Sequence, residues 1–334
     1  MTRLFAEWEK QEALLFALPH ENTDWNRYID EILHSYRDFI LAVSKFQKCF
    51  VLCADIKKAR SLLRDIDNVT LIKIQTNDTW IRDFGAIDVQ IDDEVISYDF
   101  TFNAWGGKFD ASLDNLVNKT LHKSKNLQGE LLSIPLVLEG GSIDSNGKGV
   151  MLTTTKCLLE KHRNPHLSHI QIDAKLKELF GLTKIIWLEN GYLKGDDTDS
   201  HVDTLARFIT QNTIAYTICE DETDEHFLEL KRMEEELKNT GFDLLPLPLP
   251  KPIFYEGHRL PATYANFVFV NNALIVPIYE DKNDERVLSS LKNALPNHEI
   301  VGVNAKIFIR EHGSLHCATM NRYERKAKQN HRLS

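Results

Sequence analysis

The sequence predicts an α/β fold built from five similar units around a common centre. Short apolar strands alternate with amphipathic helical stretches along the chain. Pairs of strands joined by tight turns recur at intervals of about fifty to sixty-five residues, a spacing typical of toroidal repeat folds. Polar side chains stand before each predicted hairpin, at Asp83, Glu139, His201 with Asp203, Asn266 and Cys317. We therefore expect each unit to direct polar groups toward one central point.

The first unit alternates strand and helix. Runs of apolar residues predict strands, and apolar positions three or four apart predict helices. In order, the predicted elements are a strand ending at Pro19, a helix through Tyr28, Ile32, Tyr36 and Ile40, a strand over 49–53, a helix over 55–65 and a strand over 69–74.

The later units repeat a hairpin followed by a helical stretch. The Asn146-Gly147 pair is a strong hairpin signal. Prolines interrupt residues 243–252, which predicts an edge strand or a connector because proline cannot donate to a sheet ladder. The predicted helical stretches cover residues 110–127, 172–180, 224–238 and 284–294.

Composition excludes several classes of protein. The 334 residues carry a formal net charge of −9, which argues against a nucleic-acid surface and agrees with a cationic substrate. No apolar run reaches the roughly 20 residues that span a bilayer, so we expect no membrane partner and a cytoplasmic location. The five cysteines show no disulfide framework and are predicted to be free thiols.

The stretch from Gly195 to Phe208 is the most informative part of the chain. In an extended segment, side chains two residues apart share a face, so His201 and Asp203 are expected to enter one pocket. A surface pair is the alternative for this motif alone. His-x-Asp could also supply two metal ligands, but the chain has no HExxH or CxxC motif, and Pro165 interrupts the pair His162 and His166. We predict no metal and no organic cofactor.

Cys317 follows small residues near the end of the fold and is a candidate nucleophile, with His201 as its proton donor. The carboxylates of Asp83, Glu139 and Asp203 accept hydrogen bonds and would repel an oxyanion, whereas a guanidinium offers a planar set of N–H donors that suits them. Taken alone, Asp83 could instead cap a turn and Trp80 could pack in the core. Together the residues favour a small cationic guanidine as substrate.

These residues stand in motifs that resemble a known family along nearly the whole chain. They include A-E-W-E-K-Q, D-T-W-I-R-D-F-G, L-E-G-G-S-I, R-N-P-H-L-S, G-D-D-T-D-S-H-V-D, P-A-T-Y-A-N-F-V-F-V-N-N and L-H-C-A-T. The order and content of the motifs are similar to those of the agmatine deiminase and bacterial, Porphyromonas-type peptidylarginine deiminase family of the guanidine-modifying pentein superfamily.

The resemblance implies a five-bladed α/β propeller with pseudo-fivefold repeats around a central active site and no cofactor. It implies that Cys317 is the nucleophile and His201 the general acid and base. It further implies that Asp83 and Asp203 hold the guanidinium, that Glu139 orients the histidine and the substrate, and that Trp80 is a pocket wall.

The expected reaction is hydrolytic deimination of agmatine to N-carbamoylputrescine and ammonia through a cysteine thiouronium, a step toward putrescine. The chain departs from the family pattern at Ser200, at Ala86 and at residues 311–314, so the part that holds the far end of the substrate is open. Asp196, Asp197 and Asp199 are candidates for an ammonium group, with Asn266 also near the substrate. Arg82 and Arg207 are the candidates if a carboxylate is bound instead.

The alternatives are deimination of arginine in peptides or proteins, a non-catalytic guanidine-binding protein, and amidino transfer. We expect residues 1–324 to form one catalytic domain and residues 325–334 a basic, disordered tail. A homodimer is kept as a hypothesis.

Overall fold

The computed structural model describes residues 1–126 and 128–325. They form an α/β fold with five sheets of three or four strands and a separate short hairpin, Phe254–Tyr255 with His258–Arg259. No helix in these two ranges is both long enough and apolar enough to cross a lipid bilayer.

The five sheets share one strand order. In each sheet an antiparallel pair is followed by a strand parallel to the second member of the pair. We number the sheets by the residue order of their central strand. Sheet I contains Thr319–Tyr323, Gln11–Ala17, Lys48–Cys53 and Val69–Lys73; sheet II contains Thr2–Leu4, Ile87–Ile91, Glu94–Thr101 and Leu131–Val137; sheet III contains Ile143–Ser145, Val150–Thr154 and Lys184–Leu188; sheet IV contains Ala206–Phe208, Thr213–Ile218 and Asp243–Pro248; sheet V contains Val268–Val270, Ala273–Ile278 and Glu299–Asn304.

A helix connects the parallel strands of every sheet, as is usual for the crossover that parallel strands need. The connecting helices bury one apolar side against their sheet; Ile32, Tyr36 and Phe39 of the first are fully buried. These helices are Ile29–Ser44, Ile56–Leu62, Val117–Lys123, His169–Phe180, Phe227–Lys238 and Asp284–Ala294, and shorter helical segments are Ile81–Phe84, Ala104–Gly107 and Thr155–Leu158.

The ends of the fold are joined in sheet I. The strand Thr319–Tyr323 near the end of the described chain pairs antiparallel with Gln11–Ala17, which in turn pairs parallel with Lys48–Cys53. The prediction of a local hairpin after Cys317 was therefore wrong. The partner strand lies some 300 residues earlier in the sequence, a pairing that local patterns cannot indicate.

Most predicted elements are present, some of them with shifted ends. The helix expected over 284–294 is Asp284–Ala294, and the Asn146-Gly147 turn joins Ile143–Ser145 to Val150–Thr154. The proline-spaced segment forms Asp243–Pro248, which lies at the edge of sheet IV as expected. The helix expected over 110–127 is shorter, because it begins as the 3-10 turn Asp114–Leu116 and continues as Val117–Lys123.

The candidate catalytic residues occupy equivalent places in the five sheets. Each lies two to five residues before the first strand of an antiparallel pair. Asp83 precedes Ile87–Ile91, Glu139 precedes Ile143–Ser145, His201 and Asp203 precede Ala206–Phe208, Asn266 precedes Val268–Val270, and Cys317 precedes Thr319–Tyr323. The recurring strand order therefore places one polar group, or one pair, at the same end of every sheet.

The domain assignment stays a prediction. Residues 326–334 of the predicted basic tail lie outside the described residues. Arg325, the first residue of that segment, is described and lies 3.5 Å from carboxylate oxygens of both Glu12 and Asp88. The prediction of a tail is therefore left only for residues 326–334.

Candidate active site

Polar groups that precede strands of sheets II and IV meet beside Gly141, which precedes sheet III. A Cβ atom placed on this glycine would lie 2.6 Å from Nδ1 of His201, 2.9 Å from Oδ1 of Asp83 and 3.0 Å from Oδ2 of Asp203. The backbone N–H of Gly141 also donates a 2.9 Å hydrogen bond to Asp83. Glycine is required here because any side chain would fill the space in which the three groups converge.

The segment that carries two of these groups is not extended. His201 stands at the start of a 3-10 turn, Val202–Thr204, instead of a strand. The expectation that His201 and Asp203 face one pocket because they alternate along a strand was wrong in its local geometry. They still approach the same space, because a turn folds the two side chains back toward Gly141.

Cys317 is buried and its sulphur is surrounded by acceptors and one amide. Nδ2 of Asn266 lies 3.3 Å from Sγ and Oδ2 of Asp203 lies 3.8 Å from it. Burial raises the pKa of the Cys317 thiol well above its ordinary value, and the nearby charges of Asp203 and Asp83 raise it further. The thiol is consequently protonated at neutral pH until a positive charge approaches these carboxylates.

His201 is buried between two acids. Nδ1 lies 3.7 Å from Oδ1 of Asp83 and Nε2 lies 3.9 Å from Oε2 of Glu139. Burial disfavours the imidazolium, but Asp83, Cys157 and Glu139 together raise the pKa of His201 well above its ordinary value. Within the described residues neither ring nitrogen makes a hydrogen bond. A protonated imidazole without hydrogen-bond partners can donate to a bound molecule.

The two aspartates are held differently. Burial raises the pKa of Asp83 to about 6 despite the opposing charge of His201, and Nε1 of Trp105 donates a 2.9 Å hydrogen bond to its carboxylate. Asp203 accepts a 2.7 Å hydrogen bond from His316 at Oδ2. Its Oδ1 is buried and, among the described residues, has no hydrogen-bond partner. Such an unpaired buried oxygen is expected where a ligand supplies the donor.

Glu139 is paired with a buried arginine. Nε of Arg163 lies 2.9 Å from both of its carboxylate oxygens, and neither side chain is exposed. The other guanidinium nitrogens of Arg163 donate to Asp199 at 2.8 Å and to the carbonyl of Thr198 at 2.9 Å. Arg163 therefore connects Glu139 to the loop that precedes His201.

The same loop contains the candidate ammonium partners. Asp196 accepts hydrogen bonds from the backbone of Ser200 at 2.7 Å and from Thr198, and so shapes the loop. Ser200 has φ +68°, a backbone conformation that glycine adopts more readily. Asp199 is engaged by Arg163 and Lys108. Of the three acids, Asp197 is the one whose side chain lines the cavity described next.

A cavity of about 150 Å³ leads to Cys317 and Asp83. Trp80 forms part of its wall and packs on Trp25, with ring centroids 5.6 Å apart, so it has both a wall and a core role. Asn266 and Asp199 do not line the cavity; Asn266 touches Cys317 from behind. The remaining lining residues are acidic, aromatic or small: Asp24, Asp78, Asp197, Glu311, Trp105, Phe109, Thr198, His312 and Gly313.

The two arginines considered for binding a carboxylate face away from this cavity. Arg82 donates to the carbonyl of His316 at 3.3 Å and to Asn321 at 2.6 Å. Arg207 is bonded to Asp144 and lies 2.6 Å from Glu7. Among the described residues that line the cavity, none is a lysine or an arginine.

One group of side chains has the composition of a metal site. Ligand atoms of Glu139, Cys157 and His201 lie within 4.8 Å of one another, and all three residues are buried. Both carboxylate oxygens of Glu139 are already paired with Arg163, so a cation would have to displace that arginine. The arrangement gives Cys157 a place beside His201 that its sequence context did not indicate.

Sequence reasoning missed several neighbours of the catalytic residues. Trp105, Arg163 and His316 each contact a predicted carboxylate, and Glu7 contacts His316. Arg163 belongs to the R-N-P-H-L-S motif, Trp105 lies in the segment N-A-W-G-G-K, and His316 precedes the candidate nucleophile. A buried carboxylate requires a hydrogen-bond donor, so the sequence could predict that such donors exist. It does not show which residue provides each one.

Comparisons with known proteins give consistent matches over nearly the whole chain. A family model described as Porphyromonas-type peptidyl-arginine deiminase matches residues 3–322. The solved structure of a Cys→Ser variant of C. jejuni agmatine deiminase with substrate bound is 57% identical, covers 98% of both chains and has a TM-score of 0.96. The structure of Enterococcus faecalis agmatine deiminase is 29% identical, covering 97% of this chain and 96% of its own, with a TM-score of 0.88. Agmatine deiminase of Medicago truncatula is 31% identical over 94% of each chain.

The buried pair of Glu139 and Arg163 predicts a large loss of stability on truncation. In Arg163→Met, Glu139 keeps its burial and loses its counter-charge, so we expect the free energy of unfolding to fall by about 3–5 kcal/mol. The matched control is Arg286→Met, which breaks the exposed ion pair with Glu220 at 2.8 Å and should cost at most about 1 kcal/mol. Urea unfolding measures both, and equal losses would contradict the assigned role of the buried pair.

Proposed function

The chain belongs to the Porphyromonas-type peptidyl-arginine deiminase family, and from that premise we propose that it hydrolyses agmatine to N-carbamoylputrescine and ammonia. The single observation that carries the proposal is the meeting of a thiol, a histidine and two carboxylates at one buried point beside a cavity with an acidic lining. This reaction is a step toward putrescine.

Binding of the guanidinium begins with Asp83 and Asp203. Both carboxylates approach the space beside Gly141, and Oδ1 of Asp203 is the buried acceptor without a partner among the described residues. A guanidinium presents N–H donors in one plane, so two carboxylates can hold it by hydrogen bonds and charge together. In this role they fix the central carbon near Sγ of Cys317, which lies 3.8 Å from Asp203.

The charge of the substrate activates the nucleophile. Burial and the charges of Asp203 and Asp83 raise the pKa of the Cys317 thiol. A guanidinium placed between these carboxylates opposes that effect, so the thiol releases its proton to the solvent and becomes the thiolate. The thiolate then forms a C–S bond to the guanidinium carbon. His201, whose pKa is also raised, donates its proton to the departing nitrogen, and ammonia leaves a thiouronium on Cys317.

Water completes the reaction. His201, now neutral, removes a proton from a water molecule that attacks the thiouronium carbon. The C–S bond breaks and its electron pair returns to sulphur. The hydroxyl proton of the intermediate passes to the solvent, the ureido product is released, and His201 keeps the proton taken from water. Glu139 orients His201 from 3.9 Å and is itself fixed by Arg163, which keeps the imidazole in place through both steps.

The acidic mouth of the cavity suits the other end of agmatine. Asp24, Asp78, Asp197 and Glu311 line it, and burial together with mutual repulsion raises the pKa of Asp78 to about 8. An ammonium group would relieve that repulsion. Arginine carries a carboxylate beside its amine, and the described lining residues include no lysine or arginine to receive it. The cavity therefore favours agmatine over arginine.

The other functions considered have weaker support. Deimination of peptides would bring a neutral peptide backbone to the mouth of the cavity. Such a backbone offers no positive charge to the four acids that line it. A binding protein needs neither Cys317 nor His201, and amidino transfer would need a second amine beside the thiouronium. No contact in the described residues specifically favours any of these.

We also propose the finer architecture that the resemblance implied. Supporting it are the strand order shared by the five sheets, the equivalent positions of the catalytic residues and the pairing of Thr319–Tyr323 with Gln11–Ala17, all of which suit a closed five-bladed propeller. The cytoplasmic location and the homodimer are kept as hypotheses from the sequence. Light scattering of the purified chain tests the dimer.

The function is tested by ammonia release from agmatine, free arginine and a peptidyl-arginine. We expect rapid ammonia release from agmatine and no release by Cys317→Ala. Release from arginine should be at least about 10² times slower, because the arginine carboxylate would be buried without a positive partner. Agmatine should yield one ureido product per ammonia. Equal turnover of arginine would refute the role of the acidic mouth, and activity of Cys317→Ala would refute the thiol mechanism.

The raised pKa of Asp78 predicts a pH dependence of substrate affinity. Asp78 is neutral below a pKa of about 8 and ionised above it, so KM for agmatine should fall as the pH rises through this range. In Asp78→Asn that fall should be smaller. Asp65→Asn removes an exposed acid that pairs with Arg64 outside the cavity and should leave the profile unchanged. Identical profiles for both variants would exclude Asp78 from substrate binding.

A further inference from the structure

His316 lies directly before the nucleophile and bridges two buried carboxylates. Its Nδ1 is 2.7 Å from Oδ2 of Asp203, and its Nε2 is 2.7 Å from Oε2 of Glu7. The ring is buried, with 2% of the side chain exposed. The reaction outlined above gives this histidine no role, yet both of its ring nitrogens are occupied by acids.

The geometry fixes the charge of the ring. Burial would raise the pKa of Glu7, but His316 and Arg207 outweigh it and lower the pKa below its ordinary value; the pKa of Asp203 is also lowered against burial, chiefly by its hydrogen bond from His316. Each ring nitrogen lies 2.7 Å from a carboxylate oxygen, and a carboxylate can only accept hydrogen bonds. Each nitrogen must therefore carry the proton of its hydrogen bond, which makes the ring an imidazolium.

The Glu7 end of this arrangement is anchored. Glu7 accepts a 2.6 Å hydrogen bond from the backbone N–H of Phe269 and lies 2.6 Å from Arg207, while Arg82 donates to the carbonyl of His316 at 3.3 Å. The imidazolium consequently has a fixed position beside Oδ2 of Asp203. Among the described residues, Arg82 and Arg207 are cations near its Glu7 end, His201 is a cation near Asp203, and Asp144 faces Arg207.

The hydrogen bond from His316 distinguishes the two oxygens of the Asp203 carboxylate. Oδ2 receives His316 and lies near Sγ of Cys317, whereas Oδ1 has no hydrogen-bond partner in the described chain. Without His316, the carboxylate would lose its one strong donor and could rotate. With it, Oδ1 is directed to accept from a ligand.

We propose that His316 is a positioning residue for deimination: as an imidazolium held by Glu7, it fixes the Asp203 carboxylate so that Oδ1 meets the guanidinium of the substrate. The inference rests on the proposed function and deepens it. It predicts that the hydrogen bond from Nδ1 to Asp203 matters for substrate binding. The hydrogen bond from Nε2 to Glu7 should matter mainly for holding the ring in place.

Two matched variants separate these donors. In His316→Asn the side-chain amide can replace Nδ1 and donate to Asp203; in His316→Gln the amide replaces Nε2, reaches Glu7 and leaves Asp203 without a donor. We expect His316→Asn to keep kcat/KM within about tenfold of the unaltered chain. The kcat/KM of His316→Gln should be about 10- to 100-fold lower than that of His316→Asn, with a higher KM for agmatine. Losses of this size are typical when a group that orients a binding residue is removed.

A purely structural role gives a different pattern. It would lower thermal stability and the active fraction in both variants, with KM unchanged. Equal kcat/KM values for the two variants, or a smaller loss in His316→Gln, would overturn the proposal. Lack of turnover of agmatine by the unaltered chain would instead refute the proposed function, so the two failures are distinguishable.

The charge of the ring is measured on the unaltered protein and does not depend on folding of a variant. Two-bond ¹H–¹⁵N correlation spectra of protein with labelled histidine report the protonation of each ring nitrogen. We expect both nitrogens of His316 to be protonated under the conditions of the activity assay. A neutral His316 ring under those conditions would overturn the proposal even if His316→Gln failed to fold.

Discussion

Charge compensation around three buried carboxylates is the constraint on which the site depends. Asp83, Glu139 and Asp203 lie close enough to repel one another, and none is exposed enough for water to screen it. Each has its own cation: His201 is 3.7 Å from Asp83, Arg163 is 2.9 Å from Glu139, and His316 is 2.7 Å from Asp203. These cations therefore compensate the three acids when no ligand is bound. A guanidinium adds one further positive charge, which the thiolate of Cys317 can balance.

The fold supplies these pairs from distant parts of the chain. Cys317 and His316 are placed by the strand Thr319–Tyr323, whose partner is Gln11–Ala17, and Glu7 reaches His316 from just before that partner strand. The ends of the described chain thus meet beneath the nucleophile. Changes near residue 7 are expected to act on the reaction without touching the substrate.

Much of the site could be predicted from the sequence because its parts recur. Hairpins preceded by polar residues indicated five units, and the motif content indicated the family before any geometry was known. Cys317, His201, Asp83, Glu139 and Asp203 were identified in this way, and the structure brings all five to one buried region. Repetition is readable because each copy has the same local pattern.

The remaining features depend on contacts between units. His201 lies in a turn and not in a strand, because packing beside Gly141 outweighs the local alternation. Arg163 was given no role in the sequence analysis, and its partner is 24 residues away. His316 is separated from Asp203 by 113 residues. Local patterns predict that a buried acid needs a partner, but tertiary structure decides which residue provides it.

The central claim is that the cation held by Asp83 and Asp203 reacts at Cys317. Rapid chemical quenching during turnover of agmatine, followed by mass spectrometry of the peptide that contains Cys317, tests it most directly. The account predicts a transient adduct on Cys317 with the mass of agmatine less ammonia, formed and lost at rates compatible with turnover. Normal turnover with no such adduct, or with the adduct on another cysteine such as Cys157, would contradict it.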